Sequence, residues 1–201
     1  MSYNPEEYWR ERGKIYQSTF QYTDTFRLQE RFLLDALRKL SFSSVLEVGC
    51  GFGRITKLLL QSHNIREYTA VDLSHDQIEN AKKYVNDQEK VNFVISDIQS
   101  FNSDKKFDLV LAAEVLLHIK PEEIGAIVGK LLSFTNHYFV HIDWSEDRHK
   151  LTEVNSHNFM HDYDKIYNEA GVRFLKQKIK TKKPSLKPID TRQALFMVRV
   201  D

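Results

Sequence analysis

The chain has 201 residues, 41% apolar and 28% charged, with a formal net charge of +1 at pH 7. This fits one globular domain with a substantial core, excludes a disordered chain, and disfavours a protein built to coat nucleic acid. One cysteine, Cys50, excludes an intrachain disulfide framework and fits a reducing compartment. Residues 1–12 are polar and aromatic rather than signal-like, and no apolar run approaches the ~20 residues of a membrane span. No membrane association and a cytoplasmic location are therefore expected.

Residues 5–40 are predicted helical, because Phe26, Leu33, Leu37 and Leu40 recur at helical spacing among charged residues. The start is unusually aromatic, with Tyr3, Tyr8, Trp9, Tyr16, Phe20 and Tyr22. Strands and helices then alternate: strand 44–48, helix 55–61, strand 68–72, helix 76–85, strand 91–95 and strand 107–112. The last of these strands is largely apolar, so it is placed centrally. A helix is predicted from Pro121, in its first turn, to about 132. Strand 138–142 follows, then helix 162–169 closed by Gly171. Segments 172–179 and 194–200 are predicted to pair as an antiparallel hairpin, across a long connection with Pro184 and Pro188. The pattern predicts an α/β fold: a Rossmann-like, doubly wound, mostly parallel seven-stranded sheet with an antiparallel C-terminal hairpin and an N-terminal helical extension.

Right-handed crossovers place the C-terminal strand ends on one edge, where ligands bind in such sheets. Glu47-Val48-Gly49-Cys50-Gly51-Phe52-Gly53 ends the first strand there and precedes a helix. Glycines permit a tight turn and close ligand approach, and a helix N-terminus offers free N–H groups. Such a turn holds a pyrophosphate or an amino-acid carboxylate. The spacing is G-x-G-x-G, with Arg54 where the dinucleotide fingerprint has its last glycine. Glu47, two positions before the first glycine, does not help a pyrophosphate; it suits a zwitterionic ligand with an ammonium and a sulfonium.

This segment resembles motif I, E-x-G-x-G-x-G, of the class I S-adenosylmethionine-dependent methyltransferases. The resemblance extends over about residues 45–142. It implies S-adenosyl-L-methionine as cofactor, with Gly49, Gly51 and Gly53 flanking its methionine part. Asp72, at a strand end about 20 residues past the loop, can accept from both ribose hydroxyls and looks like the family's ribose ligand; Leu73 would pack near the adenine. Ser96-Asp97-Ile98 resembles the adenine-binding turn, with Asp97 accepting from the amino group and Ile98 covering the ring. Residues 114–118, beginning at Glu114, look like the segment between cofactor and acceptor. Plainer readings stand beside these: Asp72 as a cap for a helix starting near Ser74, and Asp97 as a turn residue.

The chain is read as one domain over 1–201: a helical lid or extension (1–40), a cofactor-binding core (44–143), and a substrate-side loop, helix and hairpin (144–201). Methyl transfer requires alignment of an acceptor and, for an alcohol, a base. Candidate bases are His118 and Asp143, ahead of His141, His157 and His161. The segment after the fourth strand lacks the Asn/Asp-Pro-Pro-Tyr/Phe cluster of adenine and glutamine N-methylation. Cytosine C5 methylation needs a cysteine there. Glu114/His118 and His157/His161 are spaced i,i+4 and resemble the metal site of small-RNA 2′-O-methyltransferases. Leu117 stands where that pattern has a second glutamate, so no metal is expected.

Substrate contacts are assigned to Tyr16, Trp144, His157 and His161, and the aromatic N-terminus reads either as a lid, with Tyr16 or Arg12 near the amino-acid end, or as packing against the sheet edge. Lys176, Lys178, Lys180, Lys182, Lys183 and Lys187 read as a solvated edge or a strip for an anionic polymer. The expected activity is methylation of a small molecule, at oxygen in preference to nitrogen, with nucleic acid disfavoured as a partner. RNA or protein methylation and a non-catalytic cofactor-binding module are the alternatives; glycine spacing disfavours a dehydrogenase.

Overall fold

Alternate residues of each predicted strand face opposite sides of one sheet, and that period-two pattern builds the core. The computed structural model describes residues 4–86, 88–145, 153–155, 157–181 and 190–200. Five parallel strands, β1 (Ser44–Val48), β2 (Glu67–Asp72), β3 (Val91–Ile95), β4 (Phe107–Ala113) and β5 (Thr135–Trp144), are extended by antiparallel β9 (Asp190–Arg199) and β8 (Arg173–Lys180). Their order is β3-β2-β1-β4-β5-β9-β8, the Rossmann-like arrangement expected, with β4 central as predicted. A small ribbon, β6 (Glu153–Asn155) with β7 (Asn158–Phe159), stands apart.

Leu46, Val48, Val110, Ala112 and Phe139 face one layer, with α5 (Ile124–Ser133) and α6 (Tyr163–Glu169) packed on it. Val45, Leu109, Leu111, Val140 and Ile142 face the other, against α2 (Asp24–Leu37), α3 (Arg54–Ser62) and α4 (His75–Tyr84). Each fully buried Leu or Ile contributes about 1.5–3 kcal/mol relative to exposure, so both faces are needed.

Register aligns the strand ends. Val48 pairs with Val71 of β2 and Ala112 of β4, so the loops after β1, β2 and β4 emerge together.

The predicted helix over 5–40 is two helices, α1 (Pro5–Thr19) and α2. Ser18 and Thr19 turn their hydroxyls onto the Ile15 carbonyl, Phe20 goes extended, and its ring packs on Phe26 and Phe52. Tertiary aromatic contact outweighs continued helix here. The helix expected from Pro121 begins at Ile124, because residues 121–123 form a turn closed on the Lys120 carbonyl. Both β5 and β9 run longer than predicted because each completes the other's ladder, from Tyr138↔Arg199 to Trp144↔Gln193. The β6–β7 ribbon and a 3₁₀ turn at Leu116–His118 carried no sequence pattern of their own.

Lys176, Lys178 and Lys180 lie on the edge strand β8, and Lys176 pairs with Asp164 at 3.1 Å. Tyr3, Lys182, Lys183, Pro184, Lys187 and Pro188 lie outside the described residues. Among the described residues no helix is long and apolar enough to cross a membrane.

Helix α1 lies against the start of α4 through Gly13. A Cβ there would stand 2.1 Å from Ser74 Oγ, so only glycine lets the helices meet. Gly13→Leu should therefore undock α1 while the sheet still folds. The expected result is faster tryptic cleavage at Arg10, Arg12 and Lys14, with far-ultraviolet dichroism nearly unchanged; unchanged cleavage would refute the packing role.

Candidate active site

The loop after β1 is shaped by left-handed glycines: Gly49 (φ 66°), Gly51 (φ 54°) and Gly53 (φ 86°). Gly49 is required sterically, since a Cβ there would meet Val115 Cγ2 at 2.4 Å. Gly51 is different. Its Cβ position is open, with nothing nearer than Gln77 Nε2 at 3.7 Å, so the loop presents bare backbone to the adjoining space. Gly53 forms the N-cap of α3.

That space is a cavity of about 430 Å³, within the usual size of small-molecule sites. Its wall brings together Glu47, Gly49, Gly51, Asp72, Leu73, Asp97, Ile98, Glu114 and His118, with Trp9, Tyr16 and Phe20 from the N-terminal segment. The aromatic N-terminus thus contributes side chains to the cavity wall at the strand ends.

Asp72 joins two of its sides. Oδ2 accepts from Gly51 N at 2.9 Å and Oδ1 from Ser74 N at 2.9 Å. Burial pushes its pKa up, and those two N–H groups oppose the push. Asp72 therefore holds the turn before α4 from the cavity wall but does not cap the helix; α4 is capped by the Ser74 hydroxyl, which accepts from Gln77 N. Asp97 is a turn residue that lines the cavity: its Oδ1 accepts from Ser100 N at 2.7 Å, closing a turn at the wall.

Glu47 lies at the cavity floor, buried. Its Oε2 accepts from Thr56 Oγ1 at 2.5 Å and Tyr68 Oη at 2.6 Å, and burial raises its pKa to about 7 against those two bonds. Much of its hydrogen bonding therefore goes to α3 and β2, which fixes the loop from beneath.

His118 sits in the 3₁₀ turn after β4. Its Nδ1 is 2.8 Å from the His157 carbonyl oxygen, which only accepts, so Nδ1 carries the proton and Nε2 the lone pair. Burial lowers its pKa to about 4, opposed by that carbonyl contact. Trp9 of α1 packs against its ring, centroids 4.5 Å apart.

The remaining sequence candidates lie off the wall. Asp143 is wholly buried behind it; burial raises its pKa to about 8, opposed first by the Trp144 N–H that donates to it. Trp144 is likewise not on the wall. His157 stacks on Tyr8, centroids 4.6 Å apart. His161 is buried, with Nε2 3.0 Å from the Leu116 carbonyl. His141 is buried, its Nε2 2.6 Å from Tyr167 Oη. Among the described residues, no group of three or more His, Cys, Asp or Glu is arranged to hold a metal ion.

Sequence reasoning missed Gln29, Gln77 and Gln193. Gln77 borders the cavity, and its buried Oε1 has no hydrogen-bond partner. Gln193 reaches from β9 to Glu114. None of the three stands in a motif, and the partners of Gln29 and Gln193 are distant in sequence.

An open glycine backbone, an unpartnered buried amide oxygen and carboxylates spaced along the wall suit a nucleoside joined to an amino acid. Fold and site resemble those of the class I S-adenosylmethionine-dependent methyltransferases. Residues 45–138 match the family model described as a methyltransferase domain. Nodulation protein S of Rhizobium tropici is 32% identical over 103 residues, 51% of this chain and 42% of that protein. Malonyl-[acyl-carrier protein] O-methyltransferase 2 of Ilyobacter polytropus is 31% identical over 94 residues, 44% of this chain and 36% of that protein. The match therefore spans less than half of each relative. In fold, the chain is similar to the N-methyltransferase NodS of Bradyrhizobium japonicum solved with S-adenosyl-L-homocysteine, with a TM-score of 0.72, 15% identity and 98% of each chain covered.

The buried Asp143 gives a pH-dependent test. Its pKa is raised in the folded state from 3.8 to about 8, so the native chain holds a proton that the unfolded chain releases, and stability is lost as pH rises across that window. Asp143→Asn does not titrate. Relative to the wild type, its stability should rise by about 1.4 kcal/mol per pH unit between roughly pH 4 and 8. Urea unfolding of both proteins at pH 5 and pH 7 checks this; a constant difference would contradict it.

Proposed function

We propose that the chain transfers a methyl group from S-adenosyl-L-methionine to a small-molecule acceptor, at oxygen in preference to nitrogen, in the cytoplasm. The observation that carries this reading is the single cavity joining the glycine loop, Asp72, Asp97 and His118 under an aromatic lid. The bound sulfonium supplies an electrophilic methyl group, so the protein's work is binding, alignment and exclusion of water.

Asp72 holds the ribose hydroxyls, Asp97 and Ile98 the adenine, Leu73 the space between, and the glycine loop with Glu114 the amino-acid end. Trp9, Tyr16 and Phe20 close the acceptor side. His118 is the base rather than Asp143. It borders the cavity, and its pKa of about 4 keeps the imidazole neutral at physiological pH, with the lone pair of Nε2 available to an acceptor's proton. Asp143 is separated from the cavity and supports the wall. His157 acts through its carbonyl on His118, and His161 through Leu116 on the same turn. The relatives' names include both an acyl-carrier O-methyltransferase and, among structures, an N-methyltransferase. A base beside the cavity favours the hydroxyl, because an amine attacks from its neutral form without one.

Two substitutions separate binding from chemistry. Asp72→Ala should weaken S-adenosyl-L-homocysteine binding by at least about tenfold in calorimetry, with the far-ultraviolet dichroism of a folded chain retained. Unchanged affinity would remove Asp72 from the cofactor site. His118→Ala should lower turnover with a hydroxylated acceptor by about 10²-fold or more while changing cofactor affinity less than about threefold. Parallel loss of both, or of neither, would take His118 out of the base role.

A further inference from the structure

Glu114 is the one cavity residue whose backbone is strained. Its φ is 59°, a left-handed conformation that costs a non-glycine residue free energy and persists only where the surroundings enforce it. Two contacts enforce it. The Glu114 N–H donates to the Ile142 carbonyl at 2.8 Å, continuing the β4–β5 ladder past the end of β4. The side chain is caught by Gln193, whose Nε2 donates to Glu114 Oε1 at 2.6 Å. The bend also sets Val115 against Gly49, so the conformation of Glu114 and that of the glycine loop depend on each other.

Gln193 is itself fixed. It is buried in β9, and its Oε1 accepts from Nε2 of buried Gln29 in α2 at 2.8 Å. Gln29 Oε1 in turn accepts from Arg54 Nη2 at 3.3 Å, and Arg54 also lines the cavity. The direction of this chain is forced. A guanidinium only donates and a carboxylate oxygen accepts, so each glutamine has one amide orientation that satisfies both neighbours. Arg54 is anchored on its other side by Glu30 at 2.8 Å. Arg54 and the Glu114 carboxylate are thus joined through two buried amides, from elements distant in sequence.

We propose that Gln193, backed by Gln29, is a positioning residue that orients the Glu114 carboxylate toward the ammonium of the ligand's amino-acid end. The inference rests on the cofactor reading above and adds to it a residue that does not line the cavity. A carboxylate held by one oxygen keeps its other oxygen for a cation, and a side chain already fixed loses little freedom on binding. Gln193 thereby serves only ligands that carry the amino-acid group.

Calorimetric titration with two ligands tests this. S-adenosyl-L-homocysteine carries the ammonium; 5′-methylthioadenosine has the same nucleoside and sulfur without it. Gln193→Met, which keeps the volume and removes the donor, should weaken S-adenosyl-L-homocysteine about tenfold and leave methylthioadenosine within about twofold. The loss should disappear when Gln193→Met is made in a Glu114→Gln background, since the residue acts through that carboxylate. Equal weakening of both ligands, or a loss that persists in the Glu114→Gln background, would overturn the proposal. If Gln193→Met does not fold, Gln29→Met must show the same ligand split from the α2 side, and its absence overturns the proposal equally. A wild-type protein that binds neither ligand would instead refute the cofactor reading, and this inference with it.

Discussion

The carboxylate of Asp72 accepts one hydrogen bond from Gly51 and one from Ser74, and the geometry of the site depends on that pair. It ties the loop after β1 to the entry of α4, so two strand ends that could diverge are held to one cavity. Both donors are backbone amides at helix-flanking turns, where N–H groups otherwise lack partners. The same group sits on the cavity wall, so the contacts that organise the loops also present charge to a ligand.

Several acidic groups are drawn out of water around this centre, and the protein handles each differently. Glu47 has two hydroxyl donors beneath the loop. Asp143 has a backbone donor and burial strong enough to favour the protonated form at neutral pH. Glu114 has an amide donor backed by a second amide and an arginine. An unsatisfied buried carboxylate costs several kcal/mol. The partners supplied here therefore decide which carboxyl groups support the wall and which face the cavity.

The N-terminal helix has a different logic. Helix α1 contributes Trp9 and Tyr16 to the cavity but buries little of itself apart from Gly13. Its seat is a close contact with Ser74, next to Asp72. Helix α1 and the cavity wall therefore share one structural corner.

Much of the fold and of the cavity wall was legible in the sequence because it is written in local signals. Period-two and helical patterning gave the alternation, and the glycine loop, Asp72, Leu73, Asp97, Ile98 and Glu114 each stand at a strand end. Strand ends converge in any parallel sheet with right-handed crossovers, so position along the chain sufficed to gather them. What the tertiary structure alone decided was which polar groups meet. Gln193 and Glu114 are brought together by the pairing of β9 with β5, and Gln29 by the packing of α2. Asp143, near the end of β5, and His118, past the end of β4, both stand toward the same edge, yet one is walled off and the other borders the cavity. Side-chain direction and the cover of neighbouring elements set that difference, and neither is a property of residue spacing.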